Sequence, residues 1–128
     1  MLDYLVVGAG SAGCALAGRL HEAGADVLLL EAGGKDSKRE IAVPAAFSKL
    51  FRSEIDWSYD TEPEPALAGR PIYWPRGKVL GGSSSLNAMM AIPGHRSDYD
   101  TWDGWGWDEV APYYDRVWDR LGVEELRD

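Results

Sequence analysis

Several residue types and patterns are scarce in this 128-residue sequence, and each shortage excludes a class of protein. Cys14 is the only cysteine, so an intramolecular disulfide is impossible and a small disulfide-stapled secreted fold is excluded. His21 and His95 are the only histidines, and neither has metal-ligand spacing to cysteines or carboxylates, so we expect no metal. No apolar run approaches the roughly 20 residues that a transmembrane helix needs, so we expect no membrane-spanning segment.

Positive charge is also in short supply. The chain has 13 lysines and arginines against 21 aspartates and glutamates, which gives a net charge of −8. An acidic chain is a poor partner for nucleic acid, so we expect none. No basic segment precedes the first apolar run, as it would in a secretory signal, and we therefore predict a cytoplasmic location. The length corresponds to one modest domain.

The first thirty residues predict a strand, a helix and a second strand. Tyr4–Val7 is a short apolar run that Gly8 stops, and residues Ser11–Ala23 favour a helix. Asp26–Glu31 is a second apolar run that ends on an acid. This order predicts a βαβ unit with two parallel strands.

The remaining segments predict short elements joined by long loops. These are a short helix at Pro44–Phe51, an extended loop over Asp56–Pro75 with a strand at Pro71–Trp74, a helix start at Ser83–Asn87, a helical turn at Asp98–Trp102 and a helix at Asp108–Leu121. Only two strands are convincing, and a doubly wound sheet needs more. We therefore predict an α/β chain that is a partial Rossmann-like domain: a βαβ unit, a loop-rich extension and a C-terminal helix.

The loop after the first strand has the G-x-G-x-x-G pattern of dinucleotide-binding proteins. Its glycines allow a tight turn, a close approach to a pyrophosphate and close packing of the helix, whose free N–H groups favour phosphate. An acid at the end of the second strand can accept the ribose hydroxyls and would repel a 2′-phosphate, which disfavours NADP. The pattern alone leaves FAD and NAD both open. The predicted cofactor-binding residues here are Gly8, Gly10, Ser11, Ala12, Gly13, Glu31 and Ala32.

A second glycine-rich loop begins at Gly77, and with its surroundings it carries a family resemblance. Residues Trp74–Asp100 closely resemble the first signature of the glucose–methanol–choline (GMC) oxidoreductases. Residues Asp56–Pro63 and Glu31–Gly34 also resemble the choline and alcohol dehydrogenase members of that family. The positions that match the signature are Gly77, Lys78, Leu80, Gly81, Gly82, Ser83, Ser84, Leu86, Asn87, Ala91, Gly94 and Asp100.

The resemblance implies that the cofactor is FAD. By position, Ser83 would contact phosphate or ribityl, Val79 would approach the adenine side or its supporting shell, and Gly82 belongs to the pyrophosphate segment. The residues implied at the isoalloxazine are Asn87, Ala88 and Met90. Some family members attach FAD through a histidine just before the asparagine, but Leu86 occupies that position here. We therefore predict non-covalent FAD.

The resemblance also limits the chemistry expected of this segment. Family members oxidise alcohols with a histidine and a second histidine or asparagine far toward the C-terminus, and no such pair occurs here. We therefore interpret residues 1–128 as the N-terminal part of a GMC FAD-binding domain, without catalytic residues or a substrate domain. We expect it not to oxidise a small alcohol substrate in isolation. The alternatives are a non-catalytic flavin-binding module or subunit completed by a partner chain and, less favoured, an NAD-binding reductase domain.

Other conspicuous residues have simpler interpretations. Cys14 is expected to be a small residue packed under the first glycine loop rather than a reactive thiol. We expect His21 to face solvent and His95 to make a loop hydrogen bond. Of the two adjacent methionines, Met89 and Met90, at least one is expected near the cofactor. The tryptophans Trp102, Trp105 and Trp107 are expected to anchor a loop against a helix rather than to stack on carbohydrate.

Overall fold

The protein is described by a computed structural model that covers residues 1–123. Contacts within the chain define two compact units, Met1–Met89 and Met90–Asp128. The predicted segment 1–128 therefore contains two units, and its last five residues lie outside the described part of the chain.

The first unit begins with the predicted βαβ arrangement. Strand β1 (Tyr4–Val7), helix α1 (Ser11–Glu22) and strand β2 (Val27–Leu30) follow one another. The two strands are parallel, with Tyr4 opposite Val27 and Val7 opposite Leu30. The prediction was correct for both strands and for the helix, to within one residue at each boundary. Gly24, in the left-handed region at φ +90°, follows the end of the helix as the sequence indicated.

The two-stranded sheet leaves much of its apolar surface uncovered. Val6 is buried beneath α1, but Leu5 is 55% exposed and Val7 is 79% exposed. Leu28 and Leu30 on β2 are also exposed. Apolar strands of this kind normally lie inside a larger sheet with helices on both faces. The two strands therefore have the apolar composition of strands from the interior of a sheet. Among the described residues, no further strand pairs with either of them.

The loop-rich extension contains more regular structure than the sequence predicted. Strands β3 (Tyr59–Asp60) and β4 (Tyr73–Trp74) form a short antiparallel pair, and only the second was expected. The sequence did not predict β3, because prolines follow it closely and its residues show no alternating apolar pattern. The remaining turns are 3₁₀ helices at Arg39–Ala42, Pro44–Leu50, Pro65–Leu67 and Gly82–Ser85. The helices expected at Pro44–Phe51 and Ser83–Asn87 thus have the tighter 3₁₀ form, which suits short segments.

The core of the first unit lies under this extension rather than under the sheet. Leu50, Ile55, Val79 and Leu86 form one buried cluster, against which Ile41 packs. Val79 belongs to the second glycine loop, and Leu86 directly follows it. The best-packed part of the unit is therefore the part that supports that loop.

In the second unit, the described residues form two helices, α2 (Arg96–Tyr99) and α3 (Trp107–Leu121). His95 caps α2 with its side chain, which accepts from the Ser97 N–H, and the Asp98 carboxylate accepts from the His95 N–H. This capping begins the helix two residues before the predicted turn, and it confirms the expected loop hydrogen bond of His95.

Aromatic rings hold the two helices of the second unit together. Tyr99 packs against Trp102, Trp107 and Tyr114, and its hydroxyl is hydrogen-bonded to that of Tyr114. Trp102 and Trp107 thus make the predicted contacts between loop and helix, although Trp102 is 58% exposed, whereas Trp105 has no such ring contact among the described residues. Across residues 1–123, no helix is long and apolar enough to cross a membrane.

Candidate dinucleotide site

The two glycine-rich loops lie against each other in the first unit. The Gly81 N–H donates to the Ala9 carbonyl at 2.8 Å, and Gly10 and Gly81 form an isolated parallel bridge. A Cβ atom on Gly82 would lie 3.0 Å from the Gly10 Cα. Gly82 also lies in the left-handed region at φ +58°, so a side chain there would be strained as well as crowded against the Gly10 backbone. Sequence reasoning placed both loops at one ligand, and the structure adds that they form one continuous backbone surface.

The first loop directs the start of helix α1 toward this surface. Gly10 is the N-cap residue and provides no side-chain cap, so Ser11, Ala12 and Gly13 form an uncapped first turn. Gly13 packs so tightly that a Cβ there would lie 1.9 Å from the Gly8 carbonyl oxygen. Unpaired N–H groups at a helix N-terminus attract an anion, and the helix dipole adds to this attraction.

Glu31 braces the first loop from the end of β2. One of its carboxylate oxygens accepts from the Ala9 N–H at 2.8 Å, and the other accepts from the Gly33 N–H at 2.8 Å. Each carboxylate oxygen can accept more than one hydrogen bond. Glu31 therefore fixes the loop and keeps acceptor capacity for ribose hydroxyls.

The second loop is fixed to the rest of the unit by backbone contacts. The Leu80 N–H donates to the Gly34 carbonyl at 2.8 Å, and the Lys78 N–H donates to the Ile55 carbonyl at 2.7 Å. A Cβ on Gly77 would lie 2.2 Å from the Gly82 carbonyl oxygen. Val79 is fully buried in the core, so its side chain supports the loop from beneath. Its predicted approach to the adenine side or the supporting shell stays a prediction.

Asp56 is a buried carboxylate that connects two segments of the chain, residues 52–58 and residues 73–76, of which the second leads directly into this loop. It accepts hydrogen bonds from the N–H groups of Arg52, Ser58 and Arg76 and from the Tyr73 hydroxyl. Burial alone would raise the pKa of Asp56, but the hydrogen bonds from Tyr73 and the three amides hold it below its ordinary value. Arg52 and Ser58 both adopt the left-handed conformation, at φ +53°, and their N–H groups bond to Asp56. The carboxylate thus stabilises a strained turn around Trp57.

A cavity of about 530 Å³ opens where the first loop, Glu31 and the second loop meet. We call it the dinucleotide cavity. Five predicted residues line it: Gly8, Gly10, Glu31, Ala32 and Gly82. Sequence reasoning missed four others, namely Val7, Leu30, Trp57 and Gly77. The ends of β1 and β2 could have suggested Val7 and Leu30, because ligands of parallel sheets bind at the carboxyl ends of strands.

A second cavity of about 540 Å³ shares Trp57 and Gly77 with the first. We call it the aromatic cavity, because three rings line it together with polar groups. Its lining residues are Trp57, Tyr59, Asp60, Thr61, Trp74, Arg76, Gly77 and Ser83. Ser83, predicted at phosphate or ribityl, therefore lies in the neighbouring cavity, one residue after Gly82.

Other predicted residues lie outside the lining of both cavities. Asn87 turns its side-chain oxygen back to accept from the Met89 N–H at 2.8 Å, and Met89 adopts a left-handed conformation at φ +56°. Strain at a non-glycine residue is frequent at functional sites. Ala88 is half-buried between them. Met90 is the first residue of the second unit. Contact of Asn87, Ala88 and Met90 with a flavin remains a prediction.

Cys14 does not occupy the position expected for it. Its thiol donates to the Ala9 carbonyl at 3.3 Å, but the residue is exposed. The expectation that Cys14 is packed beneath the loop was therefore wrong, because the residue touches the loop only through this hydrogen bond and is otherwise exposed. His21 is exposed, as predicted.

The residues of the dinucleotide cavity fit an adenine dinucleotide. They combine an uncapped helix start, an acid suited to ribose hydroxyls, and glycines whose missing side chains keep the backbone accessible. In the part of the chain that the structure describes, no cluster of metal-ligating side chains occurs.

Comparison with protein families gives a match over nearly the whole chain. A profile described as GMC oxidoreductase matches residues 2–128. An uncharacterised GMC-type oxidoreductase of Mycobacterium bovis is 59% identical over 121 residues, which is 90% of this chain and 23% of that protein. The oxygen-dependent choline dehydrogenase of Photobacterium profundum is 49% identical over 122 residues, which cover 90% of this chain and 22% of that enzyme.

Solved structures give the same result. Pyridoxine 4-oxidase from Mesorbium loti superposes with a TM-score of 0.84 at 43% identity, covering 89% of this chain and 24% of that one. The chain thus spans about a quarter of the length of the relatives it matches. The family and its structural neighbours are FAD-binding flavoproteins, so the cofactor of this segment is FAD. That it binds in the dinucleotide cavity stays a prediction.

Proposed function

This chain belongs to the GMC oxidoreductase family as an FAD-binding N-terminal segment, and we propose that the whole protein oxidises the CH–OH group of a small alcohol. Curated relatives named choline dehydrogenase support this choice of reaction. The observation that carries the proposal is the contact between the two glycine loops, which forms a single surface beside Glu31.

The residues of this chain bind and orient the cofactor. The start of α1 would hold phosphate through the N–H groups of Ser11, Ala12 and Gly13, and Glu31 would accept the ribose hydroxyls. The family signature implies that Asn87, Ala88 and Met90 would contact the isoalloxazine. FAD, when bound, supplies an acceptor for the hydride that leaves the alcohol carbon. The histidine that removes the hydroxyl proton, with a second histidine or an asparagine beside it, would be supplied by polypeptide other than residues 1–128.

We also propose that FAD is held without a covalent bond, since Leu86 replaces the histidine that links flavin in some members. Leu86 is almost fully buried in the core of the first unit. A leucine side chain has no nucleophile. Acid precipitation of the purified protein should therefore release all of the flavin into the supernatant. Flavin that remains with the precipitate would contradict this attachment.

Purification at natural length and assay with choline test the proposal. We expect flavin absorbance in the purified protein and its bleaching on addition of choline or another small alcohol under nitrogen. A matched sample of residues 1–128 alone should not be bleached. Bleaching of this short chain would contradict the proposal that residues 1–128 bind FAD but do not oxidise the alcohol by themselves. A colourless protein that binds NADH would instead favour the NAD-dependent reductase.

A second candidate is a flavin-binding subunit completed by a partner chain. The exposed Leu5, Val7, Leu28 and Leu30 on the two-stranded sheet favour it, because they need a covering polypeptide. Co-purification of a second gene product in fixed proportion would support this candidate. A cytoplasmic location stays a prediction for either one.

A further inference from the structure

Trp57 is the one residue with a side chain that lines both cavities in the described part of the chain. Gly77 is the other residue common to the two walls, and it offers only backbone. Trp57 is 40% exposed, so its ring has surface left for a ligand. Neither glycine motif includes this residue, and it has no role yet in the proposed chemistry.

Two contacts fix the plane of the Trp57 ring. The Tyr59 ring stacks on it with 5.8 Å between the ring centres and an angle of 12° between the planes. The Lys78 ammonium lies 4.7 Å from the centre of the indole. An aromatic pair and a cation near a ring are both favourable contacts. The indole is therefore a defined wall even though part of it faces solvent.

Asp56 fixes the backbone that carries this ring. The Trp57 N–H donates to the Arg76 carbonyl at 2.8 Å, and the Asp56 carboxylate accepts from the Arg76 N–H at 3.0 Å. The same carboxylate accepts from the Ser58 N–H at 3.0 Å. Ser58 has φ +53°, a strained conformation that persists only where neighbouring contacts hold it. The direction of the Trp57 side chain therefore depends on Asp56.

The wall that contains Trp57 runs beside the loop that follows Glu31. Gly77, which lines both cavities together with Trp57, leads into Lys78. A Cβ on Gly33 would lie 2.1 Å from the Lys78 carbonyl carbon, and the Gly33 N–H donates to the Glu31 carboxylate at 2.8 Å. Glu31 is the acid suited to the ribose hydroxyls. Trp57 therefore lies with the part of the dinucleotide cavity that suits an adenosine.

The other parts of a dinucleotide suit other residues. Unpaired N–H groups at the start of α1 suit phosphate. The residues that the family signature implies at the isoalloxazine, Asn87, Ala88 and Met90, line neither cavity. Adenine is a flat π system, and such bases pack well on aromatic side chains. The adenosine half is therefore the part that a tryptophan wall fits.

We propose that the Trp57 ring packs against the adenosine half of the bound cofactor, and that Asp56 is the positioning residue that holds the ring there. The inference rests on the proposed cofactor site and assigns the adenosine half to a residue outside both glycine motifs. The glycine residues of the cavity offer backbone alone. The indole supplies the apolar contact area that they lack.

The test measures the binding of ADP and of riboflavin to the apoprotein at natural length, because ADP carries the adenosine and riboflavin carries the isoalloxazine. Trp57→Ala should raise the dissociation constant of ADP about tenfold, the usual effect of removing an aromatic ring that packs on a base. Riboflavin binding should stay unchanged. Trp57→Phe keeps a flat ring and should restore most of the loss. Trp74→Ala removes a half-exposed ring from the aromatic cavity alone, so this matched control should bind ADP normally.

A double-mutant cycle tests the positioning role of Asp56. Asp56→Asn alone should weaken ADP binding, because the turn around Trp57 loses its charged acceptor. When it is added to Trp57→Ala, it should weaken ADP binding no further, since the ring through which it acts is already gone. Full additivity of the two losses would mean that Asp56 does not act through Trp57.

Three results would overturn the contact while leaving FAD binding intact. The first is normal ADP affinity in Trp57→Ala, and the second is an equal loss of riboflavin affinity, which would mean that the ring supports the fold. The third is an unaltered protein that binds FAD but not ADP. If Trp57→Ala does not fold, Trp57→Leu replaces it, and equal ADP affinities of Trp57→Leu and Trp57→Phe would contradict a role for the aromatic ring. Failure of the unaltered protein to bind FAD would contradict the proposed function itself.

Discussion

The two glycine loops touch each other, but they are supported in different ways. The first lies on a parallel pair of strands whose side chains are largely exposed, as in Leu5 and Val7. The second lies on the buried cluster of Leu50, Ile55, Val79 and Leu86 and is fastened by Asp56. The more widespread motif therefore has little buried support among the described residues. The second glycine loop, which is the more family-specific motif, packs on a hydrophobic core within the described residues.

Removing a core leucine and a sheet leucine gives the largest contrast. Leu50 is 1% exposed, so Leu50→Ala leaves a cavity and should lower the free energy of unfolding by about 2–5 kcal/mol. Leu5→Ala, at an exposed position, should cost less than about 1 kcal/mol. Denaturant titration measures both. If Leu5→Ala instead lowered the free energy of unfolding of the protein at natural length by several kcal/mol, Leu5 would be covered by further polypeptide there. The two loops would then be equally well supported.

Two glycine-to-alanine substitutions on helix α1 compare a closely packed position, Gly13, with an open one, Gly18. A Cβ at Gly13 would meet the Gly8 carbonyl oxygen, so Gly13→Ala should destabilise by about 3 kcal/mol and weaken FAD binding. Gly18 has no atom within 4 Å of its Cβ position, so Gly18→Ala on the same helix should stabilise by about 0.5–1 kcal/mol. Thermal unfolding with and without FAD distinguishes the two. A neutral Gly13→Ala would contradict the tight packing of the first loop.

Replacement of the buried acid tests the fastening of the second loop. Asp56→Asn loses a charged acceptor for several donors and should cost about 2 kcal/mol at neutral pH. The pKa of Asp56 is depressed in the folded state, so its stabilisation is present above about pH 4, the ordinary aspartate value, and is lost as pH falls through the depressed value. Stability curves of the two proteins should therefore converge in acid. A difference that stays constant with pH would contradict this role of the carboxylate.

The smallest effect is expected at the brace of the first loop. Glu31→Gln keeps one acceptor but places an amide group against an N–H donor, which should cost about 1 kcal/mol in stability. FAD affinity should fall about tenfold as ribose acceptors weaken. Glu62→Gln, at an exposed position outside both cavities, is the matched control. Equal FAD affinities in the two variants would mean that Glu31 serves the loop alone.

Local patterns were sufficient to predict β1, α1 and β2, because apolar runs and the glycines that end them determine structure over a few residues. They were insufficient for Tyr59–Asp60, whose partner Tyr73–Trp74 lies beyond a proline-rich turn. The same limit applies to the cavities. Gly8, Gly10 and Glu31 follow from a motif, whereas Trp57 reaches the dinucleotide cavity only because Asp56 and Arg76 fix its backbone.

The sequence by itself determined the βαβ unit, the family and the cofactor, since each rests on residue types at fixed short spacings. Tertiary structure decided that the two glycine loops form one surface, that Val79 supports it from within the core, and that Trp57 lines the cavity beside it. Those relationships join residues up to about seventy positions apart. They depend on backbone approach distances and on a buried carboxylate, which no local pattern encodes.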